Sequence, residues 1–334
     1  MKRLLSVVFV VLLVPAALWA GGGAEPDSAS GETIVLRLAE THVEDYPTTQ
    51  ANYHFAELVS ERSDGRIQIQ VFAGAQLGEE RAVIEQVQFG AIDLTRVSVS
   101  PLAAFSQSLD ALQMPYLYRD EDHMWQVLLG PIGDQMLASV EDAGFAGLAW
   151  YDSGARSFYN SVRPIESVAD LQGLRIRVQE SQLMVGLVEA LGAVATPMPF
   201  GEVYSALQTG VIEGAENNWP SYFSTSHYEV ANYYTLDQHT RVPEILIAST
   251  IAMERLSASD QALIREAARD SIQFQRDAWA AFVAESEREI RAAGNVITEL
   301  SPAAYAEFQA AMQPLYDALD PEVAAVVEQI RAVN

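Results

Sequence analysis

Strand-like and helix-like segments alternate from about residue 32 to residue 100, and their order restricts the possible folds. Residues 32–41 alternate apolar and polar side chains, as a half-buried strand does. Residues 47–65 space apolar side chains three and four positions apart, which is typical of an amphipathic helix. Strand, helix and strand patterns then follow over 66–74, 77–90 and 91–100. This order predicts βαβ units and a largely parallel sheet.

The same kinds of segment return later in the chain. Residues 144–153 and 244–253 are strongly apolar strands, and between them LRIRV at 174–178 predicts another strand. Residues 181–193 have helical spacing, and the chain is predicted to be helical from about Ser257 to its end. Two α/β stretches in series, followed by a helical tail, indicate two lobes.

Charge and cysteine content exclude several classes of protein. The 334 residues carry 20 basic and 45 acidic side chains, a formal charge of −25. Nucleic-acid binding and docking onto anionic lipid both need a basic surface, so neither is expected. The chain has no cysteine, which excludes disulfides, thiol catalysis and a lipid anchor on an N-terminal cysteine.

The N-terminus has the pattern of a secretory signal peptide. Lys2 and Arg3 precede an apolar run, Pro15 interrupts that run, and Ala20 is a small residue suited to cleavage. A membrane-anchoring helix is disfavoured because the uninterrupted run is short. Residues 1–24 are therefore predicted to be the signal peptide and the start of a flexible leader, 25–32 a disordered leader, and the mature protein periplasmic.

Motifs for catalysis, metals and nucleotides are missing from the sequence. There is no GxGxxG after a strand, no P-loop, no HExxH and no GxSxG. The five histidines lack metal-ligand spacing, and no carboxylate pair can be assigned as acid and base. We therefore expect no catalytic residue, no metal site and no cofactor.

Arginines at the ends of predicted strands are the best candidates for a binding site. Arg175 and Arg177 share one strand face, Arg156 follows the strand that ends near Trp150, and Arg96 shares parity with Ser98. Ligands of open α/β sheets collect at the carboxyl ends of strands, where a guanidinium can hold a carboxylate through two hydrogen bonds. For Arg177 the alternative is an internal salt bridge or a solvated edge, and for Arg96 it is a charge at the frayed end of a strand.

The segment EGAENNWPSY, residues 213–222, combines polar side chains with a Trp-Pro turn. Asn217 and Asn218 are suited to capping that turn, and equally to hydrogen bonding with a hydroxylated ligand.

Four motifs together resemble one family along the chain from about residue 33 to the C-terminus. They are FAGAQLGEERAVIEQVQFGAIDL, DLQGLRIRV, PMPFGEVYSALQTGVIEGAENN and LSASDQALIREAA. On these residues the chain resembles the DctP-type solute-binding subunit of tripartite ATP-independent periplasmic (TRAP) transporters.

The resemblance implies a type II-like periplasmic binding fold. Such a fold has two α/β lobes with a mixed sheet in each, and hinge strands and long helices that span both. Carried onto this chain, the first lobe is 33–154 plus about 244–282, and the second is 155–243 plus about 283–334. The implied protein is a monomer that closes on a small organic acid and delivers it to integral membrane permease subunits.

The resemblance also implies roles for individual residues. Arg177 falls on the carboxylate-binding arginine of the family, and Arg156 on a second arginine found in many members. The other implied binding residues are Phe200 and Trp219 as apolar cover, and His42, Glu80, Arg96, Ser98 and Asn217 as polar groups.

The ligand expected from this resemblance is a hexuronate such as glucuronate or galacturonate, in a pocket with positive potential. A C4-dicarboxylate is the main alternative, with Arg96 as a second cation. Sialic acid is less expected, because Ser98 stands where members that bind it carry a glutamate. A secreted enzyme acting on acidic sugars and an extracytoplasmic sensor partner with the same fold are further alternatives.

Overall fold

The computed structural model describes residues 33–334, so the predicted signal peptide and leader lie outside the described residues. The strands in this range are β1 Ile34–Ala39, β2 Ile67–Phe72, β3 Leu94–Ser98, β4 Phe145–Tyr151, β5 Ala155–Asn160, β6 Arg175–Val178, β7 Val194–Pro197, β8 Gly214–Asn217, β9 Tyr233–Arg241, β10 Glu244–Ser249 and β11 Val296–Glu299.

The α-helices in this range are α1 Pro47–Arg62, α2 Glu80–Gln88, α3 Val99–Leu102, α4 Glu121–Leu128, α5 Pro131–Ala138, α6 Gln182–Ala190, α7 Val203–Thr209, α8 Trp219–Ser224, α9 His227–Val230, α10 Thr250–Glu254, α11 Ala258–Ala292, α12 Pro302–Ala311, α13 Gln313–Asp317 and α14 Pro321–Ala332. Short 3-10 helices lie at Gln107–Leu112, Glu141–Ala143, Val168–Leu171 and Phe200–Glu202.

The first sheet has the strand order β2-β1-β3-β10-β4. Its strands β1, β2 and β3 are parallel, as the predicted βαβ units require. Strand β10 lies antiparallel between β3 and β4, although it comes from a much later part of the chain. Every residue of β10 is buried, in keeping with its central position. This sheet and its helices form the first lobe.

The second sheet has the order β11-β9-β5-β8-β6-β7 and belongs to the second lobe. Strands β6, β7 and β8 are parallel, whereas β5 is antiparallel to both β8 and β9. Both sheets are therefore mixed, and the two-lobed α/β fold implied by the resemblance is confirmed.

Strand β11 corrects the prediction of an unbroken helical tail. Gly294, at a φ of 88°, follows the end of α11, and Val296–Glu299 then pair with β9. A left-handed glycine is a common way to stop a helix, and the β-branched residues Val296, Ile297 and Thr298 favour an extended strand.

Two short connections and one long helix join the lobes, and the chain passes between them again from α12 to α14. Residues 152–154 lead from β4 into β5, and residues 242–243 lead from β9 into β10. The 35-residue α11 packs on α1 and β4 in the first lobe and on α8 in the second. Among residues 33–334 no helix is both long and apolar enough to cross a membrane.

Helix α14 bears on the predicted lobe limits. These limits place about 283–334 in the second lobe, yet Val323, Val326, Val327 and Ile330 are buried in the first-lobe core. The limits stay a prediction, and residues 321–332 are better grouped with the first lobe on the basis of this packing.

Candidate functional site

The strand ends of both sheets face one cavity of about 410 Å³, which we call the arginine pocket. Six of the nine residues singled out in the sequence line it, namely His42, Glu80, Arg156, Arg177, Phe200 and Asn217. The pocket is also lined by Thr41, Tyr46, Thr48, Ser153, Gln179, Asn218, Ser221 and Glu244.

Arg177 is a buried cation without a protein counter-charge. Only 3% of the residue is exposed, and its Nε and Nη2 donate to the carbonyl oxygen of Met198 at 2.9 and 2.7 Å. Within residues 33–334 no carboxylate lies within 4.0 Å of its guanidinium, and Nη1 has no hydrogen-bond partner. Burial lowers the pKa of Arg177, while Glu216 opposes this and Arg156 adds to it. An uncompensated buried charge is unfavourable, so this guanidinium is suited to binding an anion.

Arg175, two residues earlier on the same strand, has different surroundings. Its side chain is 47% exposed and donates to the carbonyl oxygens of Val211 and Gly210 at 3.0 and 2.9 Å. Strand parity places both arginines on one face, but only the one nearer the carboxyl end of β6 reaches the pocket.

Arg156 is held in a chain of alternating buried charges. It donates to both carboxylate oxygens of Glu216 at 2.5 and 2.8 Å, and Glu216 also meets His239, which contacts Asp237 at 2.7 Å. Burial would raise the pKa of Glu216, but Arg156 and His239 outweigh it and give about 2. Burial would lower the pKa of His239, but Asp237 and Glu216 raise it to about 9.

The Glu216 carboxylate thus lies between two cations, Arg156 and His239. Arg156 also donates to the Oδ1 atom of Asn217 at 3.0 Å, which orients that amide at the end of β8. Arg156 therefore lines the pocket with its charge already paired with a carboxylate, whereas Arg177 lines it bonded only to a backbone carbonyl oxygen among the described residues.

Arg96 and Ser98 lie behind the pocket and do not line it. Arg96 is 1% exposed and bonds to Glu40, to Glu244 at 2.6 Å and to Glu80 at 3.2 Å. The backbone N–H of Ser98 donates to Glu80 at 3.0 Å. Arg96 thus holds two of the pocket's carboxylates in place, and its predicted contact with the ligand does not fit this arrangement.

Trp219 also lies away from the pocket. Asn218 caps α8 by accepting from the N–H of Ser221 at 2.8 Å, and Trp219 stacks on Tyr234 with ring centroids 4.1 Å apart. The indole lines a separate groove, and its predicted role as apolar cover for the ligand stays a prediction that this position does not favour.

Aromatic side chains close the pocket between the lobes. The His42 ring stacks on the Tyr46 ring, with ring centroids 3.7 Å apart. It also makes an edge-to-face contact with Phe200 of the second lobe, with centroids 5.0 Å apart. The hydroxyl of Tyr46 also bonds to that of Ser221 at 2.9 Å across the cleft. Burial, aided by Arg96 and Arg156, lowers the pKa of His42 well below its usual value, so the imidazole is neutral.

Sequence reasoning missed Gln179 and Glu244. Gln179 follows Arg177 by two residues and so shares its strand face, a signal that was present in the sequence. Its Oε1 atom is buried and has no partner among residues 33–334. Glu244 begins an apolar strand and carried no such signal. In the same range, no group of three or more histidine and acidic side chains is placed to hold a metal ion.

Glu244 makes stability depend on pH. Burial raises its pKa from 4.5 to about 7, with Glu80 and Glu40 adding to the shift and Arg96 opposing it. The folded state therefore binds a proton that the unfolded state has released, so stability falls as pH rises through about 7. We expect urea unfolding between about pH 5 and 8 to show a shallower decline in Glu244→Gln than in the wild type. Equal slopes would contradict this.

Comparison with known proteins places the chain in a family. The family described as bacterial extracellular solute-binding protein, family 7 (DctP) matches residues 38–321. A solute-binding protein of Chromohalobacter salexigens is 39% identical over 92% of this chain and 90% of its own length.

Two solved TRAP periplasmic solute-binding proteins are also similar. The one from Bradyrhizobium sp. BTAi1, in complex with galacturonate, has a TM-score of 0.87 and 44% identity, over 89% of this chain and 99% of its own. The one from Roseobacter denitrificans, with bound β-D-glucuronate, has a TM-score of 0.87 and 40% identity, over 90% of this chain and 100% of its own. The chain belongs to the DctP family of bacterial extracellular solute-binding proteins.

Proposed function

We propose that this chain is the extracytoplasmic solute-binding subunit of a TRAP transporter and that its ligand is a hexuronate such as glucuronate or galacturonate. It captures the sugar acid by lobe closure, acts as a monomer in the periplasm, and delivers the ligand to integral membrane permease subunits. Family membership, the signal-peptide pattern and the hexuronates bound to two similar proteins support this proposal.

The observation that carries the proposal is the unpaired guanidinium of Arg177. A ligand carboxylate would supply the missing counter-charge and form charge-assisted hydrogen bonds, which are shorter and stronger than neutral ones. Phe200 lies beside this position, with its ring centroid 5.9 Å from the Arg177 Cζ atom. Gln179, two residues after Arg177, has a buried amide oxygen with no partner among residues 33–334. This oxygen can accept a hydrogen bond from a hydroxyl of the ligand.

The first-lobe side of the pocket has the opposite character. Glu80 and Glu244 line it. Among residues 33–334, Arg96 is the one cation within 4.0 Å of these two carboxylates, and it also pairs with Glu40. The positive pocket expected from the sequence stays a prediction, and the arginines that would create it lie on the second-lobe side. Carboxylates accept hydrogen bonds from sugar hydroxyls, so the two sides match the acid end and the hydroxyl end of a hexuronate.

This polarity argues against the C4-dicarboxylate alternative. The second carboxylate of such a ligand would meet Glu80 and Glu244, and Arg96, its expected partner, is already bonded to three carboxylates. Juxtaposing like charges in an interface costs several kcal/mol, so dicarboxylates are disfavoured.

A calorimetric panel tests the proposed ligand class. Glucuronate and galacturonate are expected to bind stoichiometrically, and succinate and malate at least about 100-fold more weakly because of the first-lobe carboxylates. Binding of a dicarboxylate as tight as that of both uronates would contradict the proposal. Recovery of chemically unchanged uronate after incubation is expected, and its conversion would favour the enzyme alternative.

A further inference from the structure

A second groove lies where the lobes meet, and we call it the hinge groove. Its volume is about 740 Å³, and it shares no lining residue with the arginine pocket. It lies between the loop before α4, the end of β9 and helix α12. Its lining includes Tyr116, Arg119, Gln238, Arg241, Tyr305 and Gln309.

The charge of the hinge groove is opposite to that of the protein. Arg119 and Arg241 line it, and no aspartate or glutamate does, in a chain with 45 acidic and 20 basic residues. Arg119 is exposed and Arg241 is partly buried. Within residues 33–334 neither side chain forms an ion pair within 4.0 Å, although Glu121 lines a neighbouring groove that Arg241 also lines. Two guanidinium groups thus lie in one groove with no carboxylate lining it.

Tyr116 adds a hydrogen-bond donor. Its hydroxyl oxygen is shielded from solvent and has no partner in the described part of the chain. Burial, with Asp237 and Tyr305 adding to it, raises the pKa of this hydroxyl, so it stays protonated. Asp237 accepts from the N–H of Phe158 at 3.0 Å and pairs with His239 at 2.7 Å, so its carboxylate is already engaged.

The backbone on both sides of the groove is strained. Tyr116 has a φ of 56° and Gln238 a φ of 46°, and the N–H of Tyr116 donates to the carbonyl oxygen of His239 at 2.9 Å. Left-handed conformations of residues other than glycine are unfavourable, and they cluster at ligand sites and switch regions.

We propose that the hinge groove is a second ligand site that takes a small anion carrying a carboxylate or phosphate group. Arg119 and Arg241 supply the charge that holds the anion, and the Tyr116 hydroxyl donates to it. The loop before α4 forms its first-lobe wall, and the end of β9 and helix α12 form its second-lobe wall. The site is independent of the ligand in the arginine pocket.

Calorimetric titration with inorganic phosphate and with citrate, in chloride buffer of constant ionic strength, tests this site. Saturable binding of at least one probe is expected, and the probe that binds distinguishes a phosphate site from a carboxylate site. The double variant Arg119→Gln/Arg241→Gln should bind it about tenfold more weakly or worse, because both charged partners are lost.

Two controls locate the binding. Arg269→Gln/Arg276→Gln removes the same charge from another groove, one that Asp134 also lines, and should bind the probe as the wild type does. Arg177→Ala should also retain binding, which excludes the arginine pocket. The proposal is overturned by absence of saturable binding up to about 10 mM. Equal loss in the two double variants, or loss in Arg177→Ala, would overturn it as well.

Discussion

Replacing Arg177 by alanine is expected to weaken hexuronate binding by about 100-fold or more while the protein stays folded. Truncating one partner of a buried, hydrogen-bonded charge pair costs about 2–5 kcal/mol, and here the charge left unpaired would be that of the ligand. The unliganded fold loses little, because Arg177 bonds only to the carbonyl oxygen of Met198 among the described residues. Calorimetry with galacturonate measures the first effect, and urea unfolding the second.

Arg175→Ala is the matched control. It removes the same kind of side chain from the same strand, but this one is half-exposed and bonds to the carbonyl oxygens of Gly210 and Val211. Its affinity for galacturonate should stay within about threefold of the wild type, less than 1 kcal/mol. Equal losses in the two variants would mean that the pocket is not organised around Arg177.

Replacing Arg96 by leucine is expected to lower the free energy of unfolding by about 3–5 kcal/mol near pH 7.5. The substitution leaves Glu40, Glu80 and Glu244 together without their cation. Uncompensated carboxyl groups have a higher pKa in the folded state than in the unfolded state, so the loss should shrink as pH falls. Urea unfolding of variant and wild type at about pH 5 and 7.5 measures both effects.

Arg255→Leu is the control for this second prediction. Arg255 pairs with Asp93 at 2.7 Å, but its side chain is 59% exposed, and such a pair contributes about 0–1 kcal/mol. If Arg96→Leu destabilises the protein no more than Arg255→Leu, the three carboxylates around Arg96 are not held as described.

Local sequence patterns predicted much of the fold. Alternation and helical spacing placed β1, α1, β2, α2 and β3, because each element buries one face against its neighbours along the chain. The same reasoning, with the family motif, brought Arg177 to a strand end, and the structure places it in a pocket. Gln179 was within reach of the same parity argument.

Long-range contacts set the rest of the site. The role of Arg96 depends on the carboxylates of residues 40, 80 and 244. These come close together because the first sheet is parallel and because β10 returns from late in the chain to pair with β3. Trp219 looked suited to cover a sugar, but the cap at Asn218 and stacking on Tyr234 turn it away. No local pattern reports either arrangement.

We propose that Arg177 recognises the carboxylate of the ligand, and a neutral analogue of the ligand isolates that interaction. Galacturonate and its neutral amide, galacturonamide, are titrated into the wild type and into Arg177→Ala. The wild type should prefer the acid strongly, and the preference should fall to within about threefold in the variant, because the interaction that distinguishes the two ligands is gone. A preference for the acid that survives undiminished in Arg177→Ala would contradict the claim.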